Sequence, residues 1–162
     1  MDFLEKDLED IICENIIDNY NELYVRGFNI PQPYLVKRQF KIGNYGIADV
    51  VLLHRVPEGD EHYLYISVIE LKKKTIDYKS LLQVYRYGRG IEKWLGYNNK
   101  YTYYIKHIII GKHVEVNDDF VFLLSHLNNL KIFTYKYDIE GMYFKENMGD
   151  YIKLNEGFNG ED

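Results

Sequence analysis

Apolar residues at three-to-four spacing open the chain. Within FLEKDLEDIICENIIDNY (residues 3–20), Phe3/Leu4, Leu8, Ile11/Ile12 and Ile16 fall on one side of a 3.6-residue period. One amphipathic helix is predicted there, closed off by the turn residues Gly27, Pro31 and Pro33. Strand-like segments follow. YLVKRQFKI (34–42) is the first, Gly43-Asn44-Tyr45-Gly46 reads as a turn, and IADVVLLHR (47–55) is the second. A hairpin loop over PEGDE (57–61) leads into a long third strand, HYLYISVIELKK (62–73).

From Asp77 to Leu95 the helical period returns through Tyr78, Leu81/Leu82, Tyr85, Ile91 and Trp94/Leu95. Asp77 is the expected cap, and Gly88 and Gly90 are expected to weaken and kink the middle. YIKHIIIG (104–111) is a continuous apolar run, the pattern of a strand covered on both faces. A short helix over 118–127 capped by Asp118, a strand LKIFTYKYD (130–138), a short strand or hairpin beyond Gly141 and a frayed polar tail complete the expectation. Helix, three strands, helix, strand, helix, strand predicts an α/β fold whose mixed central sheet is flanked by helices.

The length of 162 residues suits one domain with a real hydrophobic core. No run approaches a membrane span, the acidic start MDFLEKDLED is unlike a signal peptide, and no membrane partner is expected. Cys13 is the single cysteine, which excludes an internal disulfide and a cysteine-based zinc cluster and fits a reducing, cytoplasmic setting. Net charge is −5, against a protein coated in positive charge, but the average hides an asymmetry. Residues 1–22 carry eight acids and only Lys6, whereas residues 71–106 carry nine bases against Asp77 and Glu92. The basic stretch is either a phosphate-binding surface or a solvated face. Most of the seventeen tyrosines are expected at sheet edges and the core boundary, with a minority free to stack on bases.

Candidate chemistry sits in VIELKKK (68–74). Strand alternation projects Glu70 and Lys72 from one face, and Asp49 interrupts the preceding apolar strand. If the two strands pair, Asp49 and Glu70 can share a cation, and two carboxylates plus water suit Mg²⁺. Lys72 would then orient water or meet phosphate oxygens. The plainer alternative is a cross-strand ion pair at a sheet edge. His54, His62, His107, His113 and His126 have no metal-binding spacing, and the glycines form no phosphate loop.

Taken in order, KDLEDII (6–12), GIADVVLL (46–53), VIELKKK (68–74) and QVYRY (83–87) resemble the PD-(D/E)xK, or restriction-endonuclease-like, nuclease superfamily. The closer likeness is to the catalytic domains of NucS-type endonucleases and Holliday-junction-resolvase-like enzymes. It covers about residues 3–112, with 113–162 as a C-terminal extension of a single 1–162 domain. The resemblance implies an αβββαβ core and a Mg²⁺- or Mn²⁺-dependent endonuclease acting on DNA, in repair or recombination. It implies Asp49 and Glu70 as metal ligands, Lys72 as the catalytic lysine, and Glu9 as a helix carboxylate serving the site or a second metal, with Glu5 its competitor. Gln83 would reach back to the site from the next helix. Lys73, Lys74, Lys79, Arg86, Tyr87 and Arg89 would meet the nucleic-acid backbone, and cutting a duplex symmetrically would allow a homodimer. Ala48 stands where the superfamily has its namesake proline. A catalytically silent nuclease-like module that binds nucleic acid or a partner protein is the competing reading, with a purely architectural scaffold third.

Overall fold

The computed structural model describes residues 5–55, 63–98 and 102–147; the 57–61 loop and the polar tail lie outside them. The predicted first helix is two. Helix α1 (Glu5–Asn15) buries Leu8 and Ile12, a turn follows, and α2 (Tyr20–Val25) buries Leu23. The break lies where side-chain amides compete with helical hydrogen bonding. Asn15 Nδ2 donates to the Ile11 carbonyl at 2.6 Å and Asn19 Nδ2 donates to Asn15 Oδ1 at 2.8 Å.

Strands β1 (Pro33–Lys41), β2 (Ile47–His54) and β3 (Tyr63–Leu71) form an antiparallel meander. The β1–β2 turn is a 3₁₀ turn over Gly43–Tyr45, with φ of +48° at Gly43 and +118° at Gly46. A two-residue strand β4 (Thr75–Ile76) precedes α3 (Tyr78–Asn98), which crosses to β5 (Thr102–Gly111), parallel to β3. A second short strand, β6 (His113–Val114), pairs with β4 in a separate two-stranded sheet. Neither shows as periodicity in the sequence, because two residues carry no period. Helix α4 (Asp118–Leu124) leads to β7 (Leu130–Asp138), parallel to β5, and β8 (Gly141–Glu146) returns antiparallel to it. The main sheet runs β1-β2-β3-β5-β7-β8. The chain is therefore mixed α/β, with a six-stranded mixed sheet flanked by helices, and residues beyond 112 supply two of its strands.

Both faces of the sheet are covered, each with its own core. Leu8, Ile12 and Leu23 of α1 and α2 pack on Val50, Leu52, Ile69, Leu71, Ile108 and Ile110. Leu81, Val84 and Ile91 of α3 and Phe120 and Leu124 of α4 pack on Val51, Ile66, Val68, Ile105 and Ile109. This two-sided burial is why 104–111 reads as an unbroken apolar run.

Asp77 caps α3 as expected. Its Oδ1 accepts from the Ser80 N–H at 3.0 Å, and Ser80 Oγ accepts from the Asp77 N–H at 3.2 Å. Helix α3 runs unbroken through Gly88 and Gly90, where the sequence predicts a weakened middle. A Cβ at Gly88 would run into the His107 ring, and one at Gly90 would lie 2.6 Å from Ile42 Cγ2. These glycines admit close neighbours. For α4 the cap is Asn117, not Asp118: Asn117 Oδ1 accepts from the Phe120 N–H at 2.9 Å. The helix ends at Leu124, short of the predicted 127.

Candidate active site

The candidate residues gather at the C-terminal end of β3, beside a parallel neighbour. The β2–β3 ladder runs as far as Val50↔Ile69, and Asp49 and Glu70 are the next residues along their strands. Glu70 alternates with Ile66 and Val68, whose side chains belong to the α3-side core. Lys72 follows immediately after β3, and its N–H donates to the Ile110 carbonyl at 2.8 Å. Pairing with β5 thus continues past the strand end and fixes the backbone that carries the lysine.

Glu70 is buried, only 5% exposed. Its Oε1 lies 3.3 Å from Lys72 Nζ, while Oε2 is buried without a hydrogen-bond partner. Burial, and then the nearby Asp49 carboxylate, push Glu70 up to about 8, with Lys72 opposing. Lys72 Nζ also donates to Gln83 Oε1 at 3.2 Å, and Gln83 Nε2 donates to the Tyr87 hydroxyl at 2.6 Å. The expected reach of Gln83 back to the site is therefore made, through the lysine.

Asp49 lies at an irregularity in β2. Val50 and Leu52 face the α1-side core and Val51 the α3-side core, as alternation requires. Ala48 should follow Val50 and Leu52, yet packs into the α3-side core, so alternation slips at Asp49. The carboxylate is held at the sheet end: Oδ2 accepts from the Leu71 N–H at 2.8 Å, and Oδ1 from Gln39 Nε2 at 3.3 Å. Burial raises the Asp49 pKa, the two donors oppose it, and the Glu5 and Glu9 charges add to the rise.

Glu9, expected as a further ligand, is hydrogen-bonded to β1. Its Oε1 accepts from Arg38 Nε at 3.0 Å and its Oε2 from Gln39 Nε2 at 2.7 Å, while Arg38 also pairs with Asp10. Glu5 Oε1 accepts from the Lys73 N–H at 3.1 Å and so anchors the segment after Lys72. Among the described residues, no three His, Cys, Asp or Glu side chains form a ready metal-binding group. What remains is a pair, Asp49 and Glu70. A pair fits Mg²⁺, which commonly takes one or two carboxylates and completes its shell with water and substrate phosphate. The buried Glu70 Oε2 has no hydrogen-bond partner in the protein.

Of the residues expected to meet nucleic acid, Lys74, Lys79, Arg86 and Arg89 are exposed and Lys73 is half-buried. Tyr87 is a correction. It is 5% exposed with its ring in the α3-side core, so it supports Gln83 instead of facing a ligand. Gln39 escapes the sequence reading. Its link to Asp49 shows only once the β1–β2 register is known, because Arg38↔Val50 and Phe40↔Ala48 place Gln39 opposite Asp49.

Among the described residues no helix is long and apolar enough to cross a membrane. In comparisons with family models, curated proteins and solved structures, the chain has no significant match to any of them.

Proposed function

We propose that this chain is a divalent-metal-dependent endonuclease that hydrolyses DNA phosphodiester bonds, built on the αβββαβ core of the PD-(D/E)xK superfamily. The observation that carries this reading is the buried, unpartnered Glu70 Oε2 beside Asp49, with Lys72 bridging Glu70 and Gln83. A structural ion pair would satisfy both carboxylate oxygens; this one leaves an acceptor open in a buried place.

Asp49 and Glu70 would hold Mg²⁺ or Mn²⁺. The ion, when bound, supplies charge neutralisation at the phosphate and lowers the pKa of a coordinated water. Lys72, steered by Gln83, donates hydrogen bonds to the attacking water or to a phosphate oxygen, where negative charge grows as the P–O bond breaks. Gln83 is itself oriented by Tyr87, so the lysine is aimed by a chain of hydrogen bonds rooted in the core. Lys74, Lys79, Arg86 and Arg89 supply exposed positive charge for the phosphate backbone.

The test is cleavage of linear, mismatched, flapped, four-way and single-stranded DNA with Mg²⁺ or Mn²⁺. Wild type should cut at least one substrate, and Asp49→Ala and Lys72→Ala should each lose about 10²-fold or more in rate. Equal inactivity of wild type and both variants, with binding intact, would favour a silent module that binds nucleic acid or a partner. The observation on that side is that, among the described residues, no third carboxylate joins the pair in a metal-binding group.

A further inference from the structure

Gln39 has a backbone that its residue type does not favour. Its φ is +47°, in the left-handed region, within a strand whose neighbours are extended. A non-glycine residue there is strained, because its Cβ crowds the neighbouring backbone. Adjacent strand residues normally point to opposite faces, yet Arg38 and Gln39 both hydrogen-bond to Glu9 of α1. The left-handed residue brings the two side chains to one side. Opposite Gln39, in β2, alternation slips at Asp49. The irregularities in the two strands therefore face each other across the ladder.

The Gln39 amide joins two carboxylates. Nε2 donates to Glu9 Oε2 at 2.7 Å and to Asp49 Oδ1 at 3.3 Å. Only the NH₂ end of an amide can serve two carboxylates, and it has two hydrogens to give. Glu9 is held in turn by Arg38, which also pairs with Asp10. A chain of hydrogen bonds thus runs from α1 through the edge strand to Asp49, whose other oxygen takes the Leu71 N–H. With one donor on each oxygen, the plane of the Asp49 carboxylate is set.

We propose that Gln39 is a positioning residue for the candidate site: it fixes the rotamer of Asp49 by tying its Oδ1 to the α1 carboxylate Glu9, with the left-handed backbone as the means. The consequence for cation binding rests on the function proposed above; the consequence for Asp49 geometry does not. Outer residues that orient metal ligands typically contribute 10–100-fold to metal affinity.

Two variants separate the amide from the backbone. Gln39→Gly removes the donor and relieves the left-handed strain, whereas Gln39→Met removes the donor and keeps the strain. The readouts are hydrogen exchange at the Leu71 amide without metal, the dissociation constant for Mn²⁺ by titration, and Tm. Both variants should exchange Leu71 at least about tenfold faster relative to the Ile69 amide and bind Mn²⁺ about tenfold more weakly. Gln39→Gly should melt at or above wild type and above Gln39→Met. Unchanged Leu71 exchange in both variants overturns the proposal, whatever Mn²⁺ does. If wild type takes up no Mn²⁺ while Leu71 exchange still rises, the positioning role stands and the cation reading of the site falls.

Discussion

Glu70 carries the conflict that defines the site: a carboxylate in an apolar strand, paired on one oxygen and stranded on the other. Its folded pKa of about 8 lies above the ordinary 4.5. Between those values the folded state keeps a proton that the unfolded chain releases, so this residue's contribution makes stability fall as pH rises through that window. Below about 4.5 both states are protonated and the penalty is absent; above about 8 it is complete. Glu70→Gln should therefore be more stable than wild type at pH 9 by an order of 1–4 kcal/mol, at about 1.4 kcal/mol per pKa unit. At pH 4 the two should be nearly equal. Denaturant midpoints in the presence of a chelator check this, and a constant difference across pH would remove the buried-carboxylate account. Glu70, Lys72 and Asp49 were legible because charge inside apolar strands is rare and strand spacing is regular. Gln39 was not, because a polar residue on an edge strand is ordinary and a dihedral angle leaves no mark in composition.

At the scale of elements, α3 shows the same residue type in opposite roles. Gly88 sits on His107, which is 6% exposed and stacked on Tyr85 at 3.9 Å, so the ring cannot give way. Gly96 has nothing within 4 Å of an added Cβ. Gly96→Ala should stabilise by about 0.5–1 kcal/mol through helix propensity. Gly88→Ala should destabilise by about 1–3 kcal/mol, because overpacking outweighs the same propensity gain. Thermal melts of the pair would decide it, and stabilisation by both would mean that the α3–β5 packing is loose. Sequence periodicity locates α3 and its cap well, since twenty-odd residues average over local exceptions. It sees Gly88 and Gly90 only as weak points, because propensity counts the glycine and cannot see what lies against it. The split of the first helix has a similar cause. Its apolar spacing continues to Ile16, while asparagine amides end the helix at Asn15.

For the whole molecule, the sheet separates charge. The acidic α1 covers one face, and α3, with exposed Lys79, Arg86, Arg89 and Lys93, covers the other. An average of −5 is thus compatible with one face that attracts a polyanion. If DNA binds along α3, an Arg86→Ala/Arg89→Ala variant should bind more weakly at low salt. Its log–log salt slope should be shallower by roughly 0.9 for each phosphate that is no longer neutralised. Arg89 already pairs with Glu92 at 3.2 Å, so Arg86 should account for the larger share. An unchanged slope would move the DNA path off α3.

The order of the six long strands and of α3 and α4, the mixed α/β class and the place of Asp49 and Glu70 on consecutive strands followed from the sequence alone, since hydrophobic period and strand alternation are local and repeat along the chain. The order of strands in the sheet, the slip at Asp49, the left-handed Gln39 and the capture of Glu9 by Arg38 belong to the tertiary structure. Each depends on residues about 10 to 40 positions apart meeting in one register. No local pattern encodes that meeting; only packing of α1 and the β1–β2 ladder into one body selects it.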